Sequence, residues 1–471
     1  MTQQQPDSLE TLRKIYQSHS EASLKDYFTF LSFKSISSEA AYEPEVIRCA
    51  EWLKSYVEKI GFKCELWETD GHPVLFAEWN EAGPDKPTLL LYNHYDVQPV
   101  DPLEEWKSPP FEPNLRDGDV YARGAQDNKG QCFYVLQALK ILMEKHKHFP
   151  INIKLCIEGE EECGSQGLAS ILQTHKEQLK ANYLAIVDLG IPGPQEPAVT
   201  LGIRGIMTLD VEVTGSTTDL HSGSHGGLAY NPIHGLVEIL AKLHDESGKI
   251  RIPGFYEEIT ELNTAELGQL AMDFDPLKYE TEFGNKPTGG ERVYTHLERN
   301  WLRPTVEING VSGGYSGSGF KTVIPAKASA KISCRLVPHQ DPEKIANLVA
   351  SFIESQAPEG LSVKVNIHPG GGKSVRSNPT SKSVQAFAEA FTEVFQTRCK
   401  FVLEGASIPV VTELALASES EVVLVGVGLL SDCIHAPNEH FSIDRLEKGA
   451  LVIARAIELL GTISSSLQHN N

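Results

Sequence analysis

The sequence predicts an α/β fold, a mostly parallel sheet with helices on both faces, together with an inserted α+β domain. Short apolar runs of strand length alternate with a helix-period stretch, the pattern of parallel strands joined by crossover helices. Candidate metal ligands sit at or just beyond the ends of these runs, where an open α/β sheet binds its ligands. After Asp188 the apolar positions alternate over long stretches, which indicates half-exposed antiparallel strands of a different domain.

In chain order, the apolar run Pro87–Tyr92 leads into Asn93-His94-Tyr95-Asp96. The turn Arg123–Gly130 carries Asp127 and precedes a helix-period stretch from Gln131 to about Glu144. The run Ile151–Ile157 leads into Glu158-Gly-Glu-Glu-Glu162, and Tyr183–Val187 delivers Asp188. Ala198–Val213 and Ala328–Pro338 alternate, whereas Pro232–His244 and Pro342–Ser355 have helical period. Near the C-terminus Val422–Val427 precedes Ser431-Asp-Cys-Ile-His435. The expected division is a first domain over residues 1–205, an inserted lid or dimerisation domain over 206–390, and completion of the first domain over 391–471.

Composition narrows the function. At 471 residues the chain is long enough for two sizeable cores. A formal charge of −21 with no basic stripe excludes nucleic-acid binding, whose affinity comes largely from Lys and Arg. The N-terminus has neither a charged n-region nor an apolar h-region, and no apolar run has bilayer length, so the expectation is a cytoplasmic protein with no membrane partner. Eight cysteines without a CxxC pair read as reduced thiols. Cys163 and Cys433 lie close to proposed ligands, which leaves a thiolate ligand as an alternative to a core role.

The chemistry follows from the ligand set. Two histidines and three carboxylates suit two divalent ions sharing one carboxylate. One ion takes His94, Asp188 and one oxygen of Asp127; the other takes the second oxygen of Asp127, Glu162 and His435. Three protein ligands and an open position are what catalytic zinc requires. A water between such ions is acidified towards a hydroxide nucleophile near neutral pH. Glu161, next to Glu162, is the candidate general base, and Asp96 the acceptor for the ring N–H of His94. A Glu-Glu-Glu run is ordinarily a solvated loop and a lone histidine a turn residue, but five such residues at successive strand ends favour the joint reading.

Four motifs, Tyr92–Pro99, Tyr121–Gly130, Glu158–Ser165 and His435–Glu439, closely resemble the aminoacylase, carboxypeptidase G and carnosinase family of di-zinc peptidases, in that family's order and spacing. The inserted domain resembles the carnosinase-type cytosolic dipeptidases through Asp219–Gly223, Ser316–Pro325 and Arg335–Pro338. The resemblance implies the same ligand and base roles and a cis peptide after Asp127. It also implies a homodimer in which His221 stabilises the oxyanion in the other subunit, while Arg335, Thr322 and Ser407 hold the substrate's carboxylate. His368 falls where that group carries another substrate-contacting histidine, in surroundings that match poorly.

One segment departs from the family pattern. The dipeptidases carry arginine before the acidic residue, whereas this chain reads Leu403-Glu-Gly-Ala-Ser-Ile-Pro409. Glu404 is a candidate partner for a substrate's free amino group, so the missing cation bears on N-terminal preference. The leading expectation is a metallodipeptidase using two ions per subunit, zinc first, with manganese or cobalt as alternatives. An N-acyl-amino-acid amidohydrolase or carboxypeptidase on the same centre is the second reading. A silent metal-binding scaffold is the third, opposed by the intact Glu161.

Overall fold

The computed structural model describes residues 8–467, with side chains to residue 462. It divides into two units, the first comprising residues up to Leu201, Ser377–Val402 and the chain from Val410 on, the second Gly202–Arg376 with Leu403–Pro409.

In the first unit four strands form a parallel centre in the order Asn152–Glu158, Thr88–His94, Tyr183–Val187, Glu421–Val425. Lys63–Trp67 and Val74–Trp79 add antiparallel strands beside Asn152–Glu158. On the other side, Thr200 pairs antiparallel with Leu424. The strand Asn152–Glu158 is buried at every position and Thr88–His94 at all but the first, as expected of central strands covered on both faces. The crossover helix Lys129–His146 begins immediately after the Asp127 turn and packs on the helix Ile443–Leu467.

Glu458 ties this layer together. Its carboxylate accepts from Ser8 Oγ at 2.7 Å, Lys145 Nζ at 2.7 Å and Arg455 Nη1 at 3.2 Å, and lies 2.8 Å from His146 Nε2. Among the described residues no helix is long and apolar enough to cross a membrane.

The second unit is an antiparallel sheet in the order Thr305–Gly313, Lys327–Leu336, Gly205–Thr214, Ser362–Ile367. Burial alternates along Gly205–Thr214 and Lys327–Leu336, so Met207, Leu209, Ala330 and Ile332 join the core with the helices Pro232–Ala241 and Pro342–Ser355. The opposite face carries Thr208, Asp210, Lys331 and Arg335.

The division differs from the expected boundaries near residue 202, at Ser377, and at Leu403–Pro409, which joins the second unit although residues 391–471 were expected in the first. The alternating stretch that begins at Ala198 is split. Ala198–Ile203 is buried throughout, and only Gly205–Thr214 shows the alternation of a half-covered strand. The chain returns to the first unit at Ser377 rather than 391, because the apolar face of Lys382–Phe395 packs on Ile443–Leu467 and Glu421–Val425.

Candidate metal centre

The parallel register gathers the ligands. His94 ends its strand opposite Glu158, and Asp188 follows Val187 on the adjacent strand. Glu162 lies in the single turn Glu161–Cys163 just after the 152–158 strand, and His435 in the loop after Leu430–Asp432. Asp127 precedes the helix Lys129–His146, and the Asp127–Asn128 peptide is cis.

Asp127 lies at the middle. Its Oδ1 is 3.2 Å from His94 Nε2, and its Oδ2 is 3.0 Å from His435 Nε2. Asp188 Oδ1 is 3.7 Å from His94 Nε2, and Glu162 Oε2 is 3.2 Å from His435 Nε2. Two three-residue clusters result, His94–Asp127–Asp188 and Asp127–Glu162–His435, each with ligand atoms within 4.8 Å of one another. All five sequence-predicted ligands are therefore together, and neither Cys163 nor Cys433 joins either cluster.

Burial and mutual charge shift the titration of these groups strongly. Burial and the charge of Asp127 push the Glu162 carboxyl up to about 7. Hydrogen bonds with Asp127 and Glu162 hold the His435 imidazole up to about 10. Burial pulls His94 down, but the charge of Asp188 and contacts with Asp127, Asp188 and Asp96 outweigh it and hold the ring well above its usual range. Glu162 Oε1 is buried without a hydrogen-bond partner, although Oε2 accepts from Gln98 Nε2 at 2.8 Å. A buried carboxylate with one oxygen 3.2 Å from the His435 imidazole and the other unpartnered among the described residues fits a divalent ion.

The surrounding residues orient the ligands. His94 Nδ1 has the Asp96 backbone carbonyl as its hydrogen-bond partner at 3.2 Å, and Asp96 Oδ1 lies at the same distance. The same carboxylate accepts from Ser37 Oγ at 2.7 Å and from the backbone N–H groups of Glu161 and Glu162 at 3.2 and 3.1 Å. Asn93 Nδ2 donates to Asn128 Oδ1 at 2.7 Å, and Asn128 Nδ2 donates to Asp188 Oδ1. This pair braces the turns bearing His94, Asp127 and Asp188. Burial, with the charges of Asp188, Glu162 and Asp127, holds the Glu161 carboxyl well above its usual range, against the pull of His94.

The second unit holds the remaining predicted residues. Exposed His221 ends the strand Leu220–His221, which pairs with Val323–Ile324, and exposed Thr322 immediately precedes the latter, its carbonyl accepting from Ser222 N at 3.1 Å. Arg335 is on the polar face of the sheet, and burial lowers its guanidinium while Glu404 opposes that shift. Ser407 Oγ donates to Gly205 O at 3.1 Å. His368 Nε2 sits 2.9 Å from Asp210 Oδ2, on the face that carries Arg335.

The sequence from 90 to 459 matches the peptidase family M20/M25/M40, a span that contains all five ligands. The chain belongs to this family. A Cys-Gly metallodipeptidase of Schizosaccharomyces pombe is 31% identical over 457 residues, covering 92% of this chain and 94% of the relative. A Beta-Ala-His dipeptidase of Homo sapiens is 32% identical over 384 residues, covering 78% and 73%. The crystal structure of an M20 family metallo-carboxypeptidase from Sulfolobus solfataricus has a TM-score of 0.83 at 33% identity, covering 93% and 99%. The resemblance to the carnosinase-type branch holds, and the protein is a metallopeptidase.

For this M20 peptidase, sequence reasoning missed Gln98, Asn93, Asn128, Glu439 and Arg204. All but Arg204 lie inside the four motifs that carry the resemblance, which was the available signal. Arg204 also answers the question raised by Leu403. Leu403 is only 2% exposed, a core residue, and the cations near Glu404 are instead Arg204 and Arg335. Arg204 Nε donates to Gly405 O at 2.8 Å and its backbone N–H to Ala406 O at 3.0 Å, fixing the loop that displays Glu404.

Proposed function

We propose that this peptidase hydrolyses dipeptides, or short peptides with a free C-terminal carboxylate, with two divalent ions per subunit, zinc first and manganese or cobalt as alternatives. The observation that carries the reading is the Asp127 carboxylate, whose oxygens face His94 and His435 separately. When bound, the ions supply Lewis-acid activation of the attacking water and the scissile carbonyl. Glu161, whose side chain has no hydrogen-bond partner among the described residues, takes a proton from that water and passes it to the leaving amine. Asp96 keeps His94 in its tautomer and holds the Glu161–Glu162 turn by its N–H groups.

In the second unit, which acts as the lid and dimerisation domain, Arg335 with Thr322 and Ser407 takes the substrate's carboxylate. A guanidinium is suited to that bidentate contact. Glu404 takes the free amino group, and His368 lines the same polar face. The subunits pair through this unit, so that each lends His221 to the other's centre. His221 Nδ1 accepts the Gly223 N–H at 3.0 Å, which leaves Nε2 as the donor of the neutral ring, as an oxyanion contact requires. Exposed Ile308 and Val311 on the free edge strand Thr305–Gly313 support the pairing. The unpaired cysteines support work in the reducing cytoplasm.

The test is hydrolysis of free dipeptides and N-acyl amino acids by metal-stripped protein resupplied with zinc, manganese or cobalt. Metal-restored dipeptide cleavage that falls about 10²- to 10⁴-fold in Glu161→Gln supports the reading. Cleavage confined to acylated substrates, or release of single residues from the C-terminus of long peptides, moves it to the second reading. The likeness to a metallo-carboxypeptidase keeps that reading in view. Two bound ions with no turnover would favour the silent scaffold.

A further inference from the structure

Three of the backbone N–H groups of the Arg123–Asp127 turn, those of Gly124, Gln126 and Asp127, donate to a single distant carboxylate. Glu439, fully buried, accepts from Gly124 N at 2.9 Å and Arg123 Nη1 at 2.8 Å on Oε2, and from Gln126 N at 2.9 Å and Asp127 N at 3.0 Å on Oε1. Its backbone carbonyl accepts from Ala122 N at 3.1 Å. The same segment carries His435, whose Nε2 faces Asp127 Oδ2. Glu439 thus joins the two stretches of chain that supply ligands to one ion.

The two clusters are not supported alike. His94 and Asp188 terminate adjacent hydrogen-bonded parallel strands and are braced by Asn93 and Asn128. The His435 side chain is 52% exposed on a loop where Cys433, His435 and Asn438 all have left-handed backbone. The short strand His440–Ser442, paired with Asp119–Tyr121, brings the end of that loop beside the start of the Asp127 turn, and the Glu439 carboxylate, one residue before the strand, ties the turn itself to it. Positioning of this kind is specific to a carboxylate, because an amide would turn an N–H group towards backbone N–H donors.

We propose that Glu439 is a positioning residue that sets the bridging Asp127 against His435, and so governs retention of the ion held by Asp127, Glu162 and His435 in preference to the ion held by His94, Asp127 and Asp188. This rests on the two-ion reading above. The experiment is equilibrium dialysis of metal-free wild type, Glu439→Gln and the shorter Glu439→Asp against a series of free zinc concentrations, with bound metal and thermal unfolding of the metal-free proteins measured. Fewer than two equivalents in wild type would sink the two-ion reading itself, whatever the variants do.

With two equivalents in wild type, the proposal expects both variants to fold, the tighter equivalent to stay within about threefold, and the weaker to loosen about 10- to 100-fold. It also expects excess zinc to restore kcat with KM unchanged. Unchanged affinity for both ions, or equal weakening of both, overturns it. So does a kcat that stays low at saturating zinc. Failure of both variants to fold likewise overturns it, because Glu439 would then be a structural residue of the whole unit.

Discussion

Gln98 donates its side-chain N–H to Glu162 Oε2 at 2.8 Å, leaving Oε1 of the same carboxylate without a partner. The amide holds the glutamate in one rotamer while leaving an oxygen for an ion. Gln98→Met, of similar volume but without the donor, is expected to raise the zinc concentration needed for half-maximal activity about 10- to 100-fold. An unchanged metal requirement would show that Glu162 needs no such support.

Asp96 does two tasks that separate by substitution. It faces His94 Nδ1 and also accepts from the N–H groups of Glu161 and Glu162. Asp96→Asn removes the charge and puts an amide where at least one donor points. A fall of kcat by about 10- to 100-fold, with smaller change in KM, is the expected result. Steady-state kinetics at saturating metal checks it, and a pure KM effect would contradict the assignment.

Glu404 lies near Arg204 and Arg335, and its Oε1 accepts from Gly405 N at 2.6 Å and Ala406 N at 3.1 Å. If its other oxygen takes a substrate ammonium, Glu404→Gln weakens free dipeptides but not their N-acetyl counterparts. A hydrogen bond to a charged group contributes about 1.5–3 kcal/mol, so kcat/KM for free dipeptides falls about 10- to 100-fold. Equal losses on both substrate types would remove Glu404 from amine recognition.

Acid sensitivity is expected at Glu458. Burial pushes its carboxyl up, but hydrogen bonds from Lys145, Ser8 and His146, with the charge of Lys145, outweigh it and hold it at about 2. The folded value lies below the unfolded one of 4.5, so the stabilisation is complete above that value and is lost as pH falls from 4.5 towards 2. Glu458→Gln is expected to be less stable at neutral pH and to show a shallower acid limb. Denaturant unfolding of the metal-free protein at several pH values measures both.

Removing the metal is expected to lower the thermal midpoint, because ions that bind only the folded chain stabilise it by about 2.7 kcal/mol at 100 times their dissociation constant. Scanning calorimetry with and without chelator checks this. Identical transitions would mean that the ligand clusters are indifferent to ions.

The five candidate ligands could be picked out in the sequence because each is tied to a local pattern, and the fold brings them together. His94, Glu162, Asp188 and His435 follow apolar runs, and Asp127 precedes a helix-period stretch, so the parallel sheet that those runs imply brings them to one edge. The alternating strands of the second unit were legible for the same reason, since burial on one face imposes a period of two.

Local pattern could not decide which remote groups meet. Glu439 reaches the Arg123–Asp127 turn across more than 300 residues of chain, and Arg204 takes its partners from the 405–406 loop and from Asn300 and Arg303. Such hydrogen bonds depend on how whole elements pack, and a buried carboxylate in a sequence looks the same whichever donors it finds. The return of the chain at Ser377 was hidden likewise, because an apolar helix face at Lys382–Phe395 does not say which core it covers. Sequence periodicity thus determined which residues end strands and face inward. Only the tertiary structure decided which donors hold the ligands and which core each helix joins, because those contacts follow from packing between segments that share no local pattern.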